Sequence, residues 1–276
     1  MKTLIVIPAR YGSTRFPGKP LHPIRGRTLI QRVAQIAQQA AREAMQTDAG
    51  TIDYVVATDH DAIASYCLSI GVKSVMTTGD IRNGSERALA AARLYPQMPD
   101  FIINLQGDVP FAEPAHVRTL IEAAAQHSGD VFTPVVRLTW AALDDLRERK
   151  KTTPFSGTTC ARSADGLAFW FSKQIIPAVR GEAALRKAGD LSPVFRHIGL
   201  YGYRVKALER FCDLPMGRYE ELEGLEQLRF LENGMTIRAL EVAPARISMS
   251  GVDSLEDAQL AEQMIDRHGD PYQEVR

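Results

Sequence analysis

In the first half of the chain, apolar positions fall in short dense runs, each followed by a longer stretch in which they recur every three or four residues. The runs TLIVIPA from Thr3, DYVVATD from Asp53, KSVMT from Lys73 and FIINLQGD from Phe101 are rich in β-branched residues and predict strands. The helical spacing over Thr28 to Met45, Asp61 to Ile70, Gly84 to Leu94 and Pro114 to His127 predicts helices between and after them. Such alternation is the signature of βαβ units and a mostly parallel sheet. In the first helix Leu29, Val33, Ile36, Ala37 and Ala40 make one apolar stripe, and Thr28 with Gln31 has capping-box spacing.

From about Asp130 the rhythm changes. DVFTPVVRL and GLAFWFSK read as strands, and HIGLYGYRV alternates Ile198, Leu200 and Val205 with small or aromatic residues. These segments predict an inserted antiparallel region at about 135–215, a substrate or dimerisation arm. A helical segment from Tyr219 to Glu232 follows, then the strand TIRALEVA and a last helix near Ser254, where Ser254 and Asp257 again have capping-box spacing. No internal repeat, low-complexity tract or linker divides the chain. The expectation is one α/β domain over 1–276, a Rossmann-like, mostly parallel sheet with an antiparallel insertion.

Composition narrows the function classes. The 276 residues are 45% hydrophobic, enough for a sizeable core, and carry 33 basic and 33 acidic side chains. With no net charge, nothing overall points to nucleic acid or an anionic membrane as partner. The three cysteines, Cys67, Cys160 and Cys212, are far apart and lack metal-ligand spacing, which fits reduced thiols in a cytoplasmic protein. The N-terminal apolar run is broken by Pro8, so it is expected to be neither a signal peptide nor a membrane span.

Against this neutral background the opening stretch PARYGSTRFPGK is locally basic. It is the loop leaving the first strand, where ligands of open α/β sheets bind. Its glycines allow close backbone approach to an anion, and Arg10, Arg15 and Lys19 can give charge-assisted hydrogen bonds to phosphate oxygens. It is no Walker loop: five residues rather than four separate Gly12 from Gly18, and Pro20 stands where a magnesium-binding hydroxyl should be. A second loop, QGDVP, places Asp108 after another strand, and SGVDSLEDA places Asp253 just ahead of a helix. Magnesium sites use one or two carboxylates together with substrate phosphates, so the three stretches together read as a metal-dependent nucleotidyl transfer site.

In order along the chain, the opening segment, ATDH at Ala57, NGSER at Asn83, QGD at Gln106, RHIGLYGYR at Arg196, LEQLRFL at Leu225 and GVDSLEDA at Gly251 resemble the 3-deoxy-manno-octulosonate (Kdo) cytidylyltransferases, the CMP-Kdo synthetases of Gram-negative lipopolysaccharide synthesis. The likeness spans nearly the whole chain. It implies a nucleotidyltransferase-type fold and transfer of CMP from CTP to a 2-keto sugar acid, with magnesium as cofactor and a homodimer as the assembly. Arg10, Ser13, Arg15 and Lys19 would hold the triphosphate, with Arg10, Lys19, Asp108 and Asp253 carrying catalysis and Asp108 and Asp253 the metal. Asp59 and the stretch Asn83, Gly84, Ser85 and Arg87 would lie around the nucleoside. Gln106, His197, Tyr201, Glu226 and Gln227 would face the sugar acid.

Two departures from the family pattern fall on the sugar side: Val109 replaces an acidic residue, and Thr159, within SGTT, replaces a lysine. The alternatives are the same transfer to another acceptor, such as 8-amino-Kdo, another nonulosonic-type acid or a phosphonate, or a non-catalytic nucleotide-binding descendant.

Overall fold

The computed structural model describes every residue except 13, 14, 48, 79, 82 and 272–276. The chain runs β1 (Lys2–Ala9), a hairpin of β2 (Pro23–Ile24) and β3 (Arg27–Thr28), α1 (Leu29–Ala44), β4 (Thr51–Thr58), α2 (Asp61–Ser69), β5 (Ser74–Met76), α3 (Gly84–Leu94), β6 (Phe101–Asn104) and α4 (Pro114–Gln126). It continues through β7 (Val131–Thr139), α5 (Trp140–Thr152), β8 (Thr159–Arg162), β9 (Ala168–Ser172), α6 (Glu182–Ala188), β10 (Leu191–His197) and β11 (Tyr201–Arg204). The last elements are α7 (Val205–Asp213), α8 (Arg218–Glu223), α9 (Leu228–Glu232), β12 (Ile237–Glu241) and α10 (Leu255–His268).

Nearly all the strands join one sheet in the order β5-β4-β1-β6-β11-β7-β10-β8-β9, with β12 alongside β7. The first four are parallel; β11 pairs antiparallel with both β6 and β7, so the antiparallel strands extend the parallel sheet and form no second one. β1 explains the arrangement. Its Leu4, Ile5, Val6 and Ile7 are all within 1% of complete burial. Ile5 and Ile7 pack with Val33, Ile36, Leu120 and Ile121 of α1 and α4 on one face. Leu4 and Val6 pack with Ala88, Leu89, Leu208 and Phe211 of α3 and α7 on the other. Each such side chain contributes about 1.5–3 kcal/mol of hydrophobic burial, so a strand without polar alternation belongs in the middle of a covered sheet.

A third, small core lies outside these two. Phe16, Phe111, Ile247 and Val252 meet Ala258, Ala261 and Ile265 of α10, with Ile24 and Leu29 beside them. Charges fasten the same corner. Arg25 of the hairpin turn reaches Glu262 and Asp266 of α10, and buried Arg32 of α1 pairs with Asp270 at 3.1 Å while donating to the Ile24 carbonyl.

Three details differ from the sequence expectation. The helix over Tyr219 to Glu232 is two helices, α8 and α9, because Gly224 takes a left-handed conformation at φ 61 and stops the first. HIGLYGYRV is not continuous: β10 ends at His197 and β11 starts at Tyr201, and between them the Ile198 carbonyl accepts from the Leu200 N–H at 2.7 Å and the Leu200 carbonyl from the Thr133 hydroxyl. Helices α5 and α6 lie inside the antiparallel region, where α5 buries only Trp140, Leu143 and Leu146 amid charged residues, too sparse a stripe to stand out by periodicity.

Candidate active site

The loop after β6 approaches β1 closely. A Cβ on Gly107 would sit 2.3 Å from the Pro8 carbonyl oxygen, so only glycine lets Asp108 stand beside the end of β1. The Asp108 carbonyl accepts from the Val252 N–H at 2.9 Å, which draws in the segment carrying Asp253. The Asp253 amide is itself held: Oδ2 of Asp257, in the first turn of α10, accepts from the N–H groups of Asp253 and Ser254 at 2.9 Å each. Sequence marked Asp257 only as a helix cap; here it also orients Asp253.

Lys19 closes this arrangement. Its Nζ lies 3.0 Å from Oδ2 of Asp108 and 3.0 Å from Oδ1 of Asp253, and Arg15 reaches the other oxygen of Asp253 at 3.3 Å. Two carboxylates from segments far apart in sequence thus converge on one positive charge. Oxygen donors of this kind suit a hard divalent cation that completes its shell with phosphate oxygens and water. Among the described residues there is no group of three or more acidic, histidine or cysteine side chains placed to hold a metal ion. Phe16, Phe111 and Val252 belong to the three segments bearing Lys19, Asp108 and Asp253, and all three enter the small core against α10. Sequence reasoning missed this shared anchor. Its one local signal was an aromatic residue inside each of the first two loops.

Arg10 is exposed at the end of β1, and Ser13 lies outside the described residues. The next residue group is less open than the sequence implied. Asp59 accepts from the Tyr11 N–H at 3.3 Å and pairs with Arg87 at 3.2 Å, and Arg87, 1% exposed, also donates to the Thr77 hydroxyl. This pair ties the opening loop to α3 from within. Tyr11 stacks on His60 with ring centroids 3.9 Å apart. Asn83 caps α3 by accepting from the Glu86 N–H, and Gly84 lies against the Gln106 amide, where a Cβ would come within 3.3 Å. Ser85 turns toward the other side of the site: its hydroxyl donates to Glu226 and meets the Tyr203 hydroxyl at 3.2 Å.

Beyond Asp108 opens a cavity of about 660 Å³ whose lining includes Gln106, Val109, His197, Tyr201 and Gln227. Glu226 sits behind this wall with Ser85, and its burial raises the carboxyl pKa. Nε2 of His197 lies 2.9 Å from the Thr133 hydroxyl, which spends its own proton on the Leu200 carbonyl at 2.8 Å. Nε2 is therefore the donor, and Nδ1 is left as an acceptor. Burial, with the Lys173 charge adding to it, pushes the imidazole pKa down to about 3, so the ring is neutral at ordinary pH. Burial raises the Tyr201 phenol pKa well above its usual value. Gln227 is 2% exposed, and its Nε2 has no partner among the described residues. The wall thus offers donors and acceptors for hydroxyl groups, and Arg137 and Arg196, which also line the cavity, add positive charge to it. Thr159 adds nothing to it: its hydroxyl donates to the Gln174 carbonyl at 2.7 Å and accepts from the Ile176 N–H.

The chain is similar to known proteins over most of its length. A family model described as cytidylyltransferase matches residues 4–237. A 3-deoxy-manno-octulosonate cytidylyltransferase of Maricaulis maris is 40% identical over 271 residues, 98% of this chain and 99% of that protein. An 8-amino-3,8-dideoxy-manno-octulosonate cytidylyltransferase of Shewanella piezotolerans is 35% identical over 263 residues, 95% and 98% of the two chains. Among solved structures, a CMP:2-keto-3-deoxy-manno-octonic acid synthetase complexed with CTP superposes with a TM-score of 0.78 at 30% identity, over 97% of this chain and 99% of that one.

Proposed function

The chain belongs to the 3-deoxy-manno-octulosonate cytidylyltransferase family, and we propose from this premise how its residues divide the work of transferring CMP from CTP to a Kdo-like 2-keto sugar acid. The observation that carries the reading is the convergence of Asp108, Asp253 and Lys19 beside a cavity whose polar lining includes Gln106, His197, Tyr201 and Gln227 together with Arg137 and Arg196. The anomeric hydroxyl of the acid attacks the α-phosphorus of CTP; a P–O bond forms there, and the bond to the departing pyrophosphate breaks.

Arg10, Arg15 and Lys19 bind the triphosphate and neutralise the charge that builds on the leaving group. Asp108 and Asp253 would hold magnesium, which would supply polarisation of the α-phosphate and a lower pKa for the attacking hydroxyl. Gln106, His197, Tyr201 and Gln227 orient the acid: Nδ1 of His197 accepts from a hydroxyl and Nε2 of Gln227 donates to one. Ser85 holds Glu226 behind them.

The finer acceptor assignment turns on Val109 and Thr159, which bring no charge of their own to a cavity that still includes Arg137 and Arg196, and we propose that Kdo itself is a poorer acceptor than some altered relative. Pyrophosphate release from CTP, measured with Kdo, 8-amino-Kdo, other keto-sugar acids and small phosphonates, tests both levels. Release with none of them would sink the proposed activity, and a clear preference for Kdo would sink only the altered acceptor. Exposed Phe169 on the edge strand β9, with Tyr219 and Leu222 of α8, supports a homodimer, which light scattering tests. The use of CTP and three free thiols support a cytoplasmic location.

A further inference from the structure

The ammonium of Lys19 stands where Asp108 and Asp253 meet, 3.0 Å from an oxygen of each. Its side chain is only 13% exposed, whereas those of Asp108 and Asp253 are 32% and 50% exposed. The lysine therefore comes from the protein side and leaves the carboxylates open to solvent. Two carboxylates held this close repel each other, and one positive charge between them removes most of that repulsion. A divalent cation would need the same oxygens, and it would be repelled by the ammonium already there. A triphosphate changes the balance, because it gives Lys19 a second anionic partner with more acceptor oxygens.

We propose that Lys19 is a placeholder for the divalent cation: it holds Asp108 and Asp253 together until the triphosphate draws its ammonium away, so that the metal enters with the nucleotide and not before it. This rests on the reading of Asp108 and Asp253 as the metal pair. It makes metal and CTP binding mutually reinforcing, since each favours the state in which Lys19 has left the carboxylates. It also separates two effects of one residue, because losing Lys19 weakens the hold on CTP but strengthens the hold of the empty protein on metal. Arg15, on the outer oxygen of Asp253 and 73% exposed, acts in the same sense with less force.

Calorimetric titration of the nucleotide-free protein with manganese tests this. The wild type should bind weakly, Lys19→Gln about ten- to a hundredfold more tightly, as expected when a charge-assisted competitor is removed, and Lys19→Arg as weakly as the wild type. Equal or weaker binding by Lys19→Gln overturns the proposal. The double variant Lys19→Gln/Asp108→Asn keeps the two readings apart. Tight binding that survives loss of Asp108 means that the metal is held elsewhere, so the assignment of the pair fails. Tight binding that disappears places the metal at the pair. Should Lys19→Gln fold poorly, the unaltered protein still answers through the NMR signal of its Lys19 side chain. CTP in EDTA should shift that signal and millimolar magnesium alone should not; a shift with magnesium alone overturns the placeholder role.

Discussion

Around Lys19 the polar side chains are charged and open to solvent, whereas several of those around His197 are uncharged and enclosed. Arg15 and Asp253 keep 73% and 50% of their side chains in solvent, and Arg10 is exposed as well. Across Asp108, by contrast, His197 is held neutral, Tyr203 is 1% exposed and burial raises the Glu226 pKa. A triphosphate arrives with its own charge, and open ion pairs are cheap to break when it does. A polyhydroxy acid needs instead a fixed set of donors and acceptors, and these are strongest where water is excluded. The contrast teaches that one sheet supports both kinds of surface, its parallel end feeding charged loops and its antiparallel end a dry wall.

The sharpest break in this comparison comes from removing charge at the wet pole. Asp108→Asn and Asp253→Asn should each lower turnover by about 10²- to 10³-fold, with circular dichroism unchanged and acceptor binding retained. Steady-state pyrophosphate release checks this, and a loss smaller than tenfold would remove that aspartate from the chemistry. Arg87 tests whether the nucleotide side is wet throughout. It is buried against Asp59, so Arg87→Met should destabilise the fold by about 3–5 kcal/mol in urea titration, because a half-buried carboxylate loses its partner. The smallest effect belongs to the dry pole. A histidine whose pKa drops to about 3 on folding adds stability that is complete above the unfolded value near 6.5 and lost as pH falls toward 3. Unfolding at pH 7 and pH 5 should therefore differ by about 2 kcal/mol on this account, and His197→Gln should flatten that difference.

These contrasts also show what sequence carried. The βαβ rhythm, the boundaries of α3 at Gly84 and Leu94 and the cap at Ser254 were legible, because periodicity and capping are local properties of the chain. So was the gathering of a basic loop and two aspartates, since strand ends in such sheets face one edge. The partners were not. That Ser85 serves Glu226, that Arg87 is spent on Asp59 and Thr77, and that Thr133 sets the His197 tautomer all depend on contacts between residues 10 to 141 positions apart. Thr159 illustrates the same limit: sequence showed that it is not lysine, and only packing shows its hydroxyl closed onto residues 174 and 176.

The small core beneath α10 bears on synthesis. A nascent chain made as far as β12 already owns every strand of the large sheet, along with Asp108, Lys19 and the lining residues Gln106, His197, Tyr201 and Gln227. It still lacks Asp253, the Asp257 carboxylate that steadies it, and the helix against which Phe16 and Phe111 pack. On a ribosome the protein would thus fold its scaffold first and become an enzyme last, Asp108 and Asp253 brought together only when α10 docks.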